Sequence, residues 1–355
     1  MVSEPFAVRD AAAQPGRGGA VRRRSVLLGA AGVTAAGLCG CSGGGTSAPP
    51  GASAAPSGTG TSPRSQPAAG TSSPAALPAP TQWVPGPGEI QPAAKLAAVR
   101  LVEAFGTWPA GQGGVADRAA RAEKLGIPAA QATRLAGQTG SLTPAADAAV
   151  VRVIDAQYGG ILTDSASVLV VCAQTTRTGS TIADGGTTVD VRLSRTASGW
   201  SVTALHPAQP GPARPLDATQ RDVLADPRIE LPPASAADIR SGQVHTSVLD
   251  AMLRLAGPYR MSVSVVRSGH PLDVFGTNRP SDHPRGRAFD VWRIDGHRVV
   301  DPATSRTLIT AFMRAAAAAG SYNVGGPVLL SGGTTANQFF SDATHHDHVH
   351  IGFTS

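Results

Sequence analysis

The sequence predicts an α+β protein with two folded domains behind a long low-complexity front, and three observations carry that reading. Apolar residues make up 41% of the 355-residue chain, enough for real cores, while much of its Gly and Pro lies before residue 90. Helical spacing of apolar residues gives way to β-branched runs in two separate stretches. Between those stretches Pro207–Pro215 reads Pro-Ala-Gln-Pro-Gly-Pro-Ala-Arg-Pro, which suits neither helix nor central strand and marks a boundary.

The front of the chain reads as an export signal. Arg22-Arg23-Arg24-Ser25-Val26-Leu27-Leu28 opens a small, apolar stretch to Leu38. This is a charged n-region before an h-region of about 13 residues, too short to span a bilayer. Arg23-Arg24-Ser25-Val26-Leu27 resembles a twin-arginine signal, with an ordinary secretion signal as the alternative. Leu38-Cys39-Gly40-Cys41 resembles the bacterial lipobox, with Leu three places before Cys41 and a small residue just before it. Cys39 does not fit, because Leu38 would occupy the small position. The resemblance implies lipidation of Cys41, loss of residues 1–40, and anchoring to the outer face of the cytoplasmic membrane. Two or three acyl chains, at roughly 0.8 kcal/mol per buried CH₂, hold such a protein stably.

Processing simplifies two further readings. Cys172 is left as the sole thiol, so no intrachain disulfide forms, and its apolar run Val168–Cys172 marks it as buried and inert. The formal charge of +6 also shrinks, because residues 1–40 hold five arginines against Glu4 and Asp10. No basic run appears elsewhere, so there is no footprint for a nucleic-acid partner.

Residues 41–82 carry the anchor and a Gly/Ser/Pro/Ala/Thr segment with almost no charge, which predicts a disordered tether. Forty flexible residues reach roughly 35 Å, enough to lift a domain off a membrane toward wall material. Residues 83–206 read as a small α+β domain. Helical stretches are expected at Ala93–Phe105, Val115–Leu125 and Pro144–Tyr158, then strands at Ser167–Thr175, Thr187–Ser194 and Gly199–His206. Helices followed by an antiparallel meander are similar to NTF2-like domains. Nothing in this stretch gathers carboxylates or histidines, so it reads as a spacer or binding module.

Residues 207–242 read as linker and lead-in, and 243–355 as the second domain. Its expected elements are a helix at Ser247–Leu255, strands at Met261–Val266 and Ala288–Ile294, and a helix at Thr304–Ala319 stopped by Gly320. A short strand at Val328–Leu330 and a last one at His348–Phe353 complete it.

All nine histidines lie in the second half, four of them within His345–His350. Two segments look like a site: Ser281-Asp282-His283-Pro284-Arg285-Gly286-Arg287-Ala288-Phe289-Asp290, and His345-His346-Asp347-His348-Val349-His350. Zinc takes imidazole nitrogen and carboxylate oxygen, and a catalytic site leaves one position for water. One His and one Asp from the first segment and one His from the second would supply that set. On an extended strand His348 and His350 share a face, with Val349 and Ile351 packing behind.

Ser281-x-His283-x-x-Gly286-x-Ala288-x-Asp290, followed by His348-x-His350, resembles the peptidoglycan peptidases grouped with lysostaphin, D-Ala-D-Ala carboxypeptidases and hedgehog. It looks closest to M15-like metallopeptidases and penicillin-insensitive murein endopeptidases. The resemblance covers roughly residues 245–353 and implies a hedgehog/DD-peptidase-like antiparallel sheet with helices. It further implies zinc on His283, Asp290 and His350, with peptidoglycan peptides as substrate. Asp347 is then the expected general base and His348 an electrophilic helper, although strand alternation favours His348 facing the metal and would require a bulge for Asp347. Arg267 matches the family's carboxylate-binding arginine, Ser281 an orienting residue, and His345 a further pocket residue. The Gly320–Ala343 stretch departs from the pattern, lacking the usual Trp-rich sequence, which leaves a non-catalytic envelope lipoprotein that binds wall peptides, or zinc through the His345–His350 cluster, as the rival reading. His206, His245, His270 and His297 have no partners at ligand spacing and read as structural or exposed.

Overall fold

The computed structural model describes residues 76–355; the expected signal, Cys41 and the expected tether as far as residue 75 lie outside them, and residues 76–82 lie inside. Helix α1 (Pro92–Gly106) starts on Pro92, whose missing N–H costs nothing at a helix start, and buries Val99, Leu101, Val102 and Phe105. Two short helices follow, α2 (Val115–Glu123) and α3 (Ala129–Ala136). The stretch expected to be a third helix is instead the long strand β1 (Ala148–Ile161). Its Val150, Val151, Val153 and Ile154 are β-branched and fit a pleated surface, and sheet pairing overrides the helical spacing.

Strand β1 pairs antiparallel with β2 (Ser165–Thr178), which also pairs with the short β3 (Thr181–Gly185) and with β4 (Thr188–Thr196). Strand β5 (Gly199–Pro207) closes the sheet against β4. One face carries Val168, Val170, Val189, Val191 and Leu205 against the helices, forming the core of the N-terminal half. Cys172 is buried there, and burial pushes its thiol well above the ordinary range.

The stretch expected to be linker is partly ordered secondary structure. Helix α4 (Ala218–Ala225) begins with an Asp217–Gln220 capping box, followed by β6 (Ile229–Glu230) and α5 (Pro233–Arg240). Strand β6 joins the second sheet, parallel to its neighbour, so the boundary between halves falls earlier than residue 243. Then come α6 (Thr246–Ala256), β7 (Met261–Val265), β8 (Ala288–Ile294), β9 (His297–Arg298) and α7 (Arg306–Ala318). Gly320 at φ 105° follows α7, as expected for a stop residue. The short β10 (Asn323–Gly325) and β11 (Phe339–Phe340) replace the strand expected at 328–330, and β12 (Val349–Gly352) is last.

The second sheet is mixed and seven-stranded, in the order β11-β10-β12-β8-β7-β6 with β9 on β8. Its core joins Leu249, Met252 and Phe312 of the helices to Phe289, Val291, Val349 and Ile351 of the central strands. The fold is therefore α+β, with one antiparallel and one mixed sheet. No helix among the described residues is long and apolar enough to cross a membrane.

Candidate metal centre

Three side chains from the two site-like segments meet at one point. Asp290 and His350 are direct cross-strand partners on β8 and β12, so sheet register alone places them together. His283 comes from a single tight turn, His283–Arg285, that ends on Gly286 at φ 69°. A Cβ at Gly286 would lie 2.0 Å from the Gln243 carbonyl oxygen, so only glycine lets the turn close here. The result is a triangle of donor atoms. His283 Nε2 lies 3.1 Å from both Asp290 Oδ1 and His350 Nδ1, and His350 Nδ1 lies 3.0 Å from Asp290 Oδ1.

The donor chemistry suits a cation. His283 Nδ1 lies 2.9 Å from the Val266 carbonyl, which can only accept, so Nδ1 carries a proton and Nε2 is the ring nitrogen that faces the triangle. Burial pushes the His350 imidazole down to about 4, keeping it neutral. Burial works against the Asp290 carboxylate, but the surrounding His283 and His348 and its hydrogen bonds hold it well below the usual range, as an anion. Two ring nitrogens and a negative charge thus converge. A tetrahedral ion with bonds of about 2.0–2.1 Å would set its ligand atoms about 3.3 Å apart, close to the spacing found. These residues fit a divalent metal.

His270 was missed in the sequence. Its ring stacks on His283 at 4.1 Å between centroids, and His270, His283 and Asp290 form a group able to hold a metal ion. His283, Asp290 and His350 form the tighter set, and His270 is the adjacent fourth group. Burial, reinforced by His283, holds the His270 ring well below its ordinary pKa.

Asp347 does not open onto the site. Its Oδ1 accepts a 2.6 Å hydrogen bond from His348 Nδ1, while Oδ2 takes Lys95 Nζ at 2.6 Å and the Tyr158 N–H at 3.0 Å. The cause is Lys95, which α1 of the N-terminal half drives into the interior and which also pairs with Glu89. Because Asp347 fixes the Nδ1 proton, His348 directs Nε2 toward the centre, 3.7 Å from Asp290 Oδ2. Burial opposes its charge, but Asp290 and Asp347 together hold the His348 pKa above the ordinary value.

The centre lies in a cleft of about 540 Å³ lined by His270, His283, His345, His348 and His350 and walled on one side by Tyr158–Ile161 of β1 and the following Leu162. His345 is at this cleft, its Nδ1 2.8 Å from Asp342 Oδ1. Ser281 sits beneath, its Oγ 3.4 Å from both the His270 ring and the His283 N–H. Arg267 does not line this cleft. Its Nη2 donates to the carbonyls of Pro210 (3.0 Å) and Gln209 (3.4 Å), and its Nε lies 3.8 Å from Oδ1 of buried Asp238. Arg267 instead lines a neighbouring cleft of about 670 Å³ that shares His270, Val274 and Phe275.

The N-terminal half, expected to be a spacer or binding module, reaches into the site at several points. Gln157 Nε2 donates to Asp290 Oδ2 at 2.6 Å, and the Ile161 N–H donates to Thr344 Oγ1 at 3.2 Å. Gly160 packs so closely that a Cβ there would lie 2.1 Å from Phe275 Cβ. A buried charge cluster joins the halves, with Glu89, Asp155 and Asp347 against Lys95 and Arg298. Three carboxylates face two cations, and burial raises Asp155 to about 6.

No family model matches the chain, and no curated protein matches it. Among solved structures, the chain matches an NTF2-like protein with a cystatin-like fold from Novosphingobium aromaticivorans at 16% identity. That match covers 32% of this chain and 67% of the other at a TM-score of 0.17, too loose to carry an argument.

Proposed function

We propose that the C-terminal half is a zinc-dependent peptidase of hedgehog/DD-peptidase-like architecture that hydrolyses peptidoglycan stem peptides or cross-links. The N-terminal half is its NTF2-like companion, and Cys41 carries a lipid that holds the protein at the outer face of the cytoplasmic membrane. The observation that carries the reading is the triangle of His283, Asp290 and His350, with sides of 3.0–3.1 Å, at the base of a peptide-sized cleft. Zinc, when bound there, activates water and polarises a carbonyl.

The protein's own groups then divide the proton work. His348 Nε2 faces the centre and is the group able to take a proton from the attacking water and return it to the leaving amine. Asp347 is a positioning residue rather than the base, because it is enclosed and fixes the His348 tautomer. Asn323 lines the cleft, and its side-chain oxygen is buried and meets no donor among the described residues. His345 stands at the same wall as a second polar contact.

One observation favours the rival reading, a module that binds wall peptides without cutting them. The carboxylate expected to act as base is locked in an ion pair. Incubating the purified protein with muropeptides, with and without chelator, separates the two. Chelator-sensitive cleavage that His348→Ala abolishes supports the peptidase, whereas binding without cleavage supports the module.

A further inference from the structure

We infer that Gln157, from the N-terminal half, is a positioning residue of the metal centre. Its side-chain amide fixes Asp290 as a one-oxygen ligand. The inference rests on the reading that His283, Asp290 and His350 hold a metal.

Asp290 has two oxygens with different surroundings. Oδ1 belongs to the donor triangle, while Oδ2 accepts from Gln157 Nε2 at 2.6 Å. A carboxylate can only accept, so the amide must present its NH₂ and not its oxygen. The other end agrees, because Ser264 Oγ donates to Gln157 Oε1. With both ends anchored and the side chain wholly buried, the amide cannot turn away. Oδ2 is thereby occupied, and Asp290 cannot swing to offer both oxygens to an ion. That leaves one coordination position for solvent or substrate, which a hydrolytic site requires.

Strand β1 is built to deliver this residue. Its pairing with β2 slips twice, between Val153 and Asp155 and again between Tyr158 and Gly160. The two irregularities bracket the residues that face the other half, Asp155 and Gln157, and re-aim them relative to a regular strand. Gly160 then lets the backbone close onto Phe275, where a Cβ would collide at 2.1 Å, and Gly159 lies against Pro271, where a Cβ would be tight at 3.1 Å.

The test is metal affinity, measured on the full-length protein by competition with a chromophoric chelator for Zn²⁺ and Co²⁺. Gln157→Ala is expected to weaken binding about 10–100-fold, the usual effect of removing a partner of a ligand. It should also alter the visible spectrum of the Co²⁺ complex, which a merely structural role would leave unchanged. Ser264→Ala keeps the amide but frees its far end, and is expected to weaken binding less. It decides the matter if Gln157→Ala does not fold by circular dichroism. Unchanged affinity and spectrum in the folded variants would overturn the inference. No binding by the unaltered protein would remove the metal centre and the inference together. Weakened binding in the variants without any muropeptide cleavage would uphold Gln157 and remove only the peptidase reading.

Discussion

Lys95 and Asp347, 252 positions apart, form a 2.6 Å ion pair whose side chains are 0% and 4% exposed. The pair links α1 of the N-terminal half to the residue that orients His348. A buried pair of this kind is weak evidence of net stabilisation, yet losing one partner strands a charge in the interior. Lys95→Met is therefore expected to lower unfolding free energy by about 3–5 kcal/mol. Adding Asp347→Asn should recover part of that loss in denaturant titration.

The two histidines of the last strand should separate binding from turnover. His350→Ala is expected to abolish metal binding, since it removes one corner of the triangle. His348→Ala should keep the metal and lower kcat by about 10²–10⁴, the usual span for losing a proton-transfer group. Equilibrium dialysis beside muropeptide kinetics reads the difference.

Asp155 should make stability pH-dependent. Its folded pKa is raised by burial to about 6, above its ordinary 3.8. Between those values the folded protein holds the extra proton, so stability is greatest below about pH 4 from this group and falls as pH rises through 6. The loss is on the order of 3 kcal/mol, from about 1.4 kcal/mol per unit. Asp155→Asn should flatten that fall in unfolding curves taken from pH 4 to 7.

Metal should stabilise the fold measurably. Zinc in a thousandfold excess over its Kd adds about 4 kcal/mol to the folded state. Stripping it with chelator should lower the unfolding midpoint by about 6 °C in a chain of this size. The His350→Ala protein should show no such shift.

Gly286→Ala is expected to cost both stability and metal affinity. The new methyl meets backbone 2.0 Å away at a residue with φ 69°, so the turn carrying His283 must move. Calorimetric titration with Zn²⁺ checks it.

The choice of His283, Asp290 and His350 as one set rests on the resemblance of their two segments to the zinc peptidases, and register accounts only for the pairing of Asp290 with His350, since His283 arrives on a turn. His270 could not be read from the sequence, since it arrives by a loop that carries no periodicity. Strand β1 was misread because its Ala, Asp and Gln residues mask a β-branched run that only pairing with β2 settles. Lys95 and Gln157 were invisible for a similar reason. A lone Lys in an apolar helix or a lone Gln in a strand has meaning only once the facing half is in place.

The outer edge of β1 has one further consequence. Its Tyr158 and Ile161 N–H groups are met by Asp347 and Thr344 of the opposite half, not by another strand. Prising the halves apart would bare a row of hungry backbone donors beside apolar side chains, an invitation to self-association. A gene fragment encoding only the histidine-bearing half would leave its own Asp347 unmatched, and one encoding only the leading half would leave a sticky ribbon. Shuffling in evolution, or trimming at the bench, should therefore succeed only when both travel together.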